Sequence, residues 1–435
     1  MKQETQCLHA GYNPENGGSH VMPIVQSTTY RFESADYMAD VFDMPALAHI
    51  YSRLSNPTCD VVEKKIAELE GGVAAMLTAS GQSASLLSIL NICSAGDSFI
   101  ATSAIYGGTV NLFCVSLKKF GIECIMVDQD ATEEEIQKAI KPNTRAFFTE
   151  TLANPALVVV DFEKLSRIAH KNNIPLIVDN TFPTPILCRP FEYGADIVVH
   201  ATTKYMEGHS TYVGGVIVDS GKFDWAEANK ATRTNKDDPS TGHFADFVLP
   251  DESYHGLIYS EAFGNLAYLA KTRMQLIRDF GCYASASAAF ALNIGLETLP
   301  LRMRQVCKNA QEVAEYFEKS DKVAKVTYPG LKTDANYERA QKYLKDGCSG
   351  VIGVEVKGGR EAAVRFIDAL QLASNCVHVA DIKTMVLHPA SCTHRQLTEE
   401  QLIAAGCVPG LVRFSVGLEN VEDIIADIEQ ALAKV

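Results

Sequence analysis

Ile197-Val198-Val199-His200-Ala201-Thr202-Thr203-Lys204-Tyr205 begins with three consecutive β-branched residues and runs into small and hydroxyl-bearing ones around a single lysine. The β-branched run reads as a buried strand. A parallel strand covered on both faces is apolar along its length. A lysine at its carboxyl end therefore stands at a water-poor rim, where open α/β sheets bind ligands. Burial lowers an amine's pKa and makes it available as a nucleophile or Schiff-base former. On this segment alone, Lys204 is either such a group or a surface lysine just past a strand end.

Outward from it, apolar strand candidates at 74–78, 98–102, 123–127, 146–149, 175–179, 197–200 and 214–218 alternate with helical spacing at 82–92, 132–140 and 162–171. Seven strands with helical crossovers predict a mainly parallel, doubly wound sheet of the α/β class. Several strands end in polar residues, so their carboxyl ends should converge on one crevice. A loop-rich stretch leads to a long helical run over 264–319. A smaller C-terminal α/β domain follows, with strands near 323–326, 351–356, 385–388 and 412–415 and a final helix over 421–434. The expected division is an arm over 1–60 that contacts a partner subunit, a ligand-binding domain over 61–265, and a C-terminal domain with its linking helix over 266–435. The arm is polar and turn-rich and shows no periodic core pattern; a helix begins near Asp60.

A length of 435 residues suits two domains, and 47% hydrophobic with 21% charged residues describes an ordinary globular chain. The formal charge of −14 argues against nucleic acid and anionic membrane surfaces. Twelve scattered cysteines without a C-x-x-C pair, and no secretory signal at Met1-Lys2-Gln3-Glu4, point to free thiols in the cytoplasm. His388, Cys392 and His394 lack a fourth ligand at a zinc spacing, so no metal is expected. No apolar run reaches the roughly 18 residues of a membrane span.

Asp179 closes the strand Pro175-Leu176-Ile177-Val178. Unpaired burial would cost it several kcal/mol, about 3–5 when one partner of a buried pair is missing. It either meets a cationic group, such as a protonated pyridine nitrogen, or caps the next loop. Ser80-Gly81-Gln82-Ser83-Ala84 joins a strand to a helix start, whose free N–H groups suit a phosphate, although such starts are common. The glycine signatures of dinucleotide and nucleoside-triphosphate sites are absent. Tyr106, in Ile105-Tyr106-Gly107-Gly108-Thr109, is either a ring stacked on a flat cofactor or an ordinary core edge. Tyr51 and Arg53 suit phosphate chelation from a neighbouring subunit. Arg413, inside the strand Leu411-Val412-Arg413-Phe414-Ser415, needs a carboxylate, either from a substrate or from a structural aspartate.

Together these segments resemble the pyridoxal-phosphate enzymes of cysteine and methionine metabolism, the transsulfuration group of fold type I. The motifs in family order are Tyr51-Ser52-Arg53 with Ser55-Asn56-Pro57-Thr58, Ser80-Gly81-Gln82, Tyr106-Gly107-Gly108-Thr109, Val178-Asp179-Asn180-Thr181-Phe182, Thr203-Lys204-Tyr205, His388-Pro389-Ala390-Ser391 and Val412-Arg413-Phe414-Ser415-Val416-Gly417. The likeness runs from about residue 5 to the C-terminus. Asn111-Leu112-Phe113, Gly221-Lys222-Phe223-Asp224-Trp225, Tyr254-His255-Gly256-Leu257 and Gln396-Leu397-Thr398-Glu399-Glu400-Gln401 are most similar to the subgroup acting on O-acetylhomoserine.

The resemblance implies a fold-type I transferase with pyridoxal 5'-phosphate bound to Lys204. Asp179 would pair with the ring nitrogen, and Tyr106 would stack on the ring and act as acid or base. Gly81, Gln82 and Thr203, with Tyr51 and Arg53 of a partner chain, would hold the phosphate. Asn154 would bond the ring hydroxyl, and Arg413 the substrate α-carboxylate. The implied reaction is γ-replacement: acetate leaves the γ-carbon of an amino-acid substrate and sulfide or a thiol adds, giving homocysteine or methionine. A γ-lyase or cystathionine γ-synthase of the same family is the alternative, and a homo-oligomer, as a dimer of dimers, is implied. Two positions depart from the family pattern. Ala201 replaces a serine on the phosphate, a loss of about 1–3 kcal/mol unless Thr202 or water compensates. His378, in Val377-His378-Val379-Ala380-Asp381, stands near the substrate carboxylate where the subgroup usually carries asparagine, with glycine at Ala380.

Overall fold

The computed structural model describes residues 1–43, 48–392, 395 and 408–435. The motif at 396–401, His394 and Cys407 lie outside them. The larger sheet comprises β1 (Ala74–Thr78), β2 (Ser98–Thr102), β3 (Glu123–Val127), β4 (Thr144–Glu150), β5 (Leu176–Asp179), β6 (Ile197–His200) and β7 (Gly215–Asp219). Their order is β1-β7-β6-β5-β4-β2-β3. Pairing is parallel except around β7, which runs against both β1 and β6. The carboxyl ends of β1, β2, β4, β5 and β6 therefore open on one edge, together with the amino end of β7. Strands β2, β6 and β7 are buried at every position, as the continuous apolar runs require.

The smaller sheet holds β8 (Val323–Thr327), β9 (Val351–Val356), β10 (Ser374–Asn375), β11 (Met385–Leu387) and β12 (Leu411–Ser415), in the order β10-β11-β12-β9-β8. Its pairings are antiparallel apart from β10 with β11. The mainly parallel seven-stranded sheet and the second, smaller sheet are those expected of the sequence.

Three expectations need correction. The run over 264–319 is not one helix. It breaks at Gly281, whose φ of +70° is left-handed, and restarts at Ala286–Glu297, where Ser285 Oγ accepts the Ala288 N–H at 3.2 Å. A further break at Thr298 precedes Leu299–Lys319. The first 60 residues also carry helices, at Gln3–His9 and Ala35–Asp43, and the first of these packs on Pro57–Glu70 and on Ala286–Glu297 of its own chain. A seven-residue helix that buries only Cys7 is too short to display a period. The helix placed near Asp60 starts at Pro57, because Asn56 caps it through the Thr58 N–H at 2.9 Å and Pro57 lacks an N–H to lose. Among the described residues no helix is long and apolar enough to cross a membrane.

Candidate active site

A cavity of about 390 Å³ opens at the converging strand ends. It is lined by Gly81, Gln82, Tyr106, Asn154, Asp179, Thr203, Lys204, His378 and Arg413, all singled out from the sequence. Glu150, Thr181 and Phe182 join them. Tyr51 and Arg53 do not. The Arg53 guanidinium sits 5.3 Å over the Tyr51 ring and donates to the Arg278 carbonyl, away from this cavity.

Lys204 leaves β6 through a tight turn in which its N–H donates to the Ala201 carbonyl at 3.1 Å. Buried Arg302 holds the next residues, donating to the Tyr205 carbonyl at 2.7 Å and to that of Met206 at 3.2 Å. Tyr205 Oη in turn accepts the Gly350 N–H at 3.0 Å, and the Ile382 N–H donates to the Gly208 carbonyl at 2.9 Å, so the turn is fixed against the second sheet. Burial and the Arg413 charge lower the Lys204 amine to about 8, against the opposing pull of Asp381. Lys204 is half-buried and lines the cavity rather than the outer surface.

Across the cavity, Asp179 Oδ1 accepts the Thr181 N–H at 3.0 Å and the Thr181 hydroxyl at 2.5 Å. Glu150 pairs in register with Asp179 on the neighbouring strand. Its carboxylate takes the Tyr106 N–H at 2.6 Å and the Asn154 N–H at 3.4 Å. Burial raises both carboxyls, Glu150 well above the usual range because Asp179 repels it as well. No ion pair reaches either among the described residues. Two carboxyls of raised pKa without a cation fit the protonated nitrogen of a flat heteroaromatic ring. Glu150 was not foreseen as a site residue. The signal that marked Asp179, a polar residue ending an apolar strand, was present in Phe147-Phe148-Thr149-Glu150 too.

Gly81 and Gln82 open the helix Gly81–Leu90, capped by Ser80 through the Ser83 N–H at 3.0 Å. A Cβ on Gly81 would come within 2.5 Å of Ala201 Cβ, so glycine is what lets this helix start approach the end of β6. The Tyr106 ring lies against Gly108 in the same way, a Cβ there meeting the ring at 2.4 Å. Thr203 spends its hydroxyl on Gly214, accepting its N–H at 3.0 Å and donating to its carbonyl at 3.1 Å. Thr202 does not stand in for the missing hydroxyl at Ala201. It lines a neighbouring cavity of about 320 Å³ beside Tyr212, and its Oγ1 is buried without a hydrogen-bond partner among the described residues.

Arg413, 7% exposed, donates to Asn154 Oδ1 at 3.3 Å and to the carbonyls of Val377 and His378 at 3.1 and 3.3 Å. It has no carboxylate partner among the described residues, and burial lowers it to about 10. The structural-aspartate alternative is thus removed. With Oδ1 taken by Arg413, the Asn154 amide nitrogen is left to donate into the cavity. His388, a metal candidate in sequence, instead bonds Ser391 Oγ at 2.7 Å and the Pro409 carbonyl at 2.8 Å.

A half-buried lysine facing paired carboxyls at the carboxyl edge of a doubly wound sheet is the arrangement of a fold-type I pyridoxal-phosphate enzyme. The chain belongs to the Cys/Met metabolism PLP-dependent enzyme family, whose model matches residues 4–433. It is 45% identical to an O-acetyl-L-homoserine sulfhydrylase of Leptospira meyeri, over 100% of this chain and 97% of that protein. It is 44% identical to a homocysteine synthase of Schizosaccharomyces pombe, over 99% of this chain and 97% of that protein. Among solved structures, a putative O-acetylhomoserine (thiol)-lyase of Campylobacter jejuni, carrying a pyridoxyl-lysine phosphate, superimposes with a TM-score of 0.92 at 37% identity, and all of both chains is covered. The cofactor is therefore pyridoxal phosphate, and the residues described fit it.

Proposed function

We propose that this enzyme performs γ-replacement on O-acetylhomoserine, releasing acetate and adding sulfide or a thiol to give homocysteine or methionine. The observation that carries the reading is Arg413, a buried guanidinium without a carboxylate partner among the described residues, lining the same cavity as Lys204, Asp179 and Glu150. It suits the α-carboxylate of an amino acid held beside Lys204. The likeness to the Leptospira meyeri O-acetyl-L-homoserine sulfhydrylase supports the acetyl leaving group, and that to the Schizosaccharomyces pombe homocysteine synthase supports the product.

When bound, pyridoxal phosphate supplies the electron sink for carbanions at the substrate's α- and β-carbons. Lys204 carries the cofactor and then moves protons between those carbons, a task suited to an amine of pKa about 8. Asp179 would keep a proton on the ring nitrogen, and Asn154 would bond the ring oxygen. Tyr106 would cover the ring face and serve as acid or base near the departing acetate. Gly81, Gln82 and Thr203 would hold the phosphate, Thr203 by giving up one of the contacts that its hydroxyl and its N–H both make to Gly214. Tyr51 and Arg53 complete the phosphate site of a partner subunit, which makes the assembly at least a dimer and, as a dimer of dimers, a tetramer. In this reading residues 1–60 contact the partner, 61–265 bind the cofactor and 266–435 form the C-terminal domain. The enzyme works in the cytoplasm, consistent with described cysteines that are all free.

The test is release of α-ketobutyrate and formation of homocysteine from O-acetylhomoserine, with and without sulfide. Homocysteine formation that depends on sulfide is expected. α-Ketobutyrate at full rate without sulfide would make the enzyme a γ-lyase instead. Lys204→Ala should lose both the visible cofactor band and turnover.

A further inference from the structure

Lys204 is not the only base on its side of the cavity. His378, between β10 and β11, places Nδ1 3.3 Å from Lys204 Nζ. An amine offers hydrogens, so Nδ1 presents its lone pair and the ring proton sits on Nε2. Nε2 has no hydrogen-bond partner among the described residues and lies 3.7 Å from Asp381 Oδ2. Asp381 is buried and fixed, its Oδ2 taking the Ser210 hydroxyl at 2.6 Å and its Oδ1 the Lys383 N–H at 3.0 Å. The imidazole thus spans an amine and an anchored carboxylate. The charged groups facing it are Lys204, Asp381, Glu207 and Arg413; burial and Lys204 disfavour its protonated form, while Asp381 and Glu207 oppose them. Its carbonyl does a separate job, accepting from Arg413 at 3.3 Å.

We propose that His378 acts through Lys204 as the proton partner of its amine. Nδ1 takes a proton from the Lys204 ammonium and later returns it. One Nζ–H bond breaks, one Nδ1–H bond forms, the electron pair of the broken bond stays on Nζ, and the net charge of the pair is unchanged. The imidazolium so formed turns its Nε2–H to Asp381. His378 is a positioning residue in this scheme: it sets the protonation state in which Lys204 meets the cofactor and, afterwards, the substrate. The inference rests on Lys204 as the cofactor-bearing lysine.

The experiment follows growth of the visible band when pyridoxal phosphate is added to the cofactor-free full-length enzyme, across pH, in wild type, His378→Asn and His378→Gln. No amino acid or sulfur donor is present, so the result is independent of which substrate the enzyme uses. The wild-type rate should fall on the acid side through two coupled ionisations and that of either variant through one. At pH 7 the variants should be slower by about 10-fold or more, and added imidazole should restore the rate in His378→Gly. Profiles of the same shape in wild type and variants would overturn the proposal. So would a uniform drop at every pH, which is what a packing role alone produces. A wild type that forms no band would remove the role of Lys204 and this proposal together, whereas a γ-lyase outcome in the sulfide assay would leave it standing.

Discussion

Glu150 and Asp179 are register partners on adjacent parallel strands, and both carboxyls line the same cavity with no ion pair to either among the described residues. Burial raises both, and their mutual repulsion pushes Glu150 further. A carboxyl whose folded pKa lies above its unfolded one binds more protons in the folded state. Stability of the cofactor-free enzyme therefore falls as pH rises above the ordinary carboxylate range.

Glu150→Gln should remove most of that loss. The melting temperature of the cofactor-free variant is expected to exceed that of wild type increasingly between the ordinary carboxylate range and neutrality, and to match it at lower pH. Asp179→Asn should share the stability gain but lose the partner of the ring nitrogen. Its turnover should drop by several orders of magnitude while that of Glu150→Gln stays within about tenfold of wild type. A Glu150→Gln variant less stable than wild type at pH 7 would show that the pair is neutralised in some other way.

Arg413 is held by three carbonyl-type oxygens and, among the described residues, by no carboxylate. Arg413→Met should raise KM for the amino acid by about 100-fold, on the order of 3 kcal/mol, with the cofactor band unchanged. Removing a buried charge without a counter-ion should also leave the substrate-free enzyme equally or more stable, by up to about 4 kcal/mol in thermal or denaturant unfolding. Loss of the band along with the substrate affinity would mean that Arg413 serves the cofactor.

The ends of the parallel strands were legible because strands buried on both faces leave a polar residue at their close with nothing to explain it. Asp179 and Lys204 stood out that way. Glu150 gave the same signal, but its partners are backbone N–H groups supplied from Tyr106 and Asn154, and no spacing rule brings those segments together. The step from Ala201 to Thr202 was illegible for a related reason: neighbouring residues of a turn face different cavities, so one cannot replace the other. Tyr51 and Arg53 were marked by side-chain chemistry and by their motif as residues of a partner's site, and in their own chain they lie away from the cavity. The helix breaks after Phe280 and at Thr298 interrupt an apolar period without erasing it, so periodicity merged three helical segments.

The contact between Gly81 and Ala201 yields a pair of opposite expectations. Gly81→Ala forces a Cβ against Ala201 Cβ and Cα, and should cost about 1–3 kcal/mol of stability with weakened cofactor retention. Ala201→Ser adds a hydroxyl to the wall that Thr202 does not serve. Its bond to a phosphate should tighten cofactor binding by about 1.5–3 kcal/mol, roughly 10- to 150-fold, in titrations of the cofactor-free enzyme. No change in that dissociation constant would place the phosphate elsewhere.

Lys204 offers the reverse pH signature to Glu150. Its amine is lowered from 10.5 to about 8, chiefly by burial and next by Arg413. A base with a depressed folded pKa binds fewer protons when folded, so between about pH 8 and 10.5 the unfolded chain holds the extra proton. The penalty is complete below pH 8 and disappears as pH climbs through that interval. Lys204→Met should then be more stable than the cofactor-free wild type at pH 7, by on the order of 2–3 kcal/mol, and the gap should close toward pH 10.5. Urea unfolding of the two cofactor-free proteins at several pH values measures this directly. A gap that stays constant across the interval would mean packing rather than charge separates them, and that the Lys204 amine keeps its ordinary affinity for a proton.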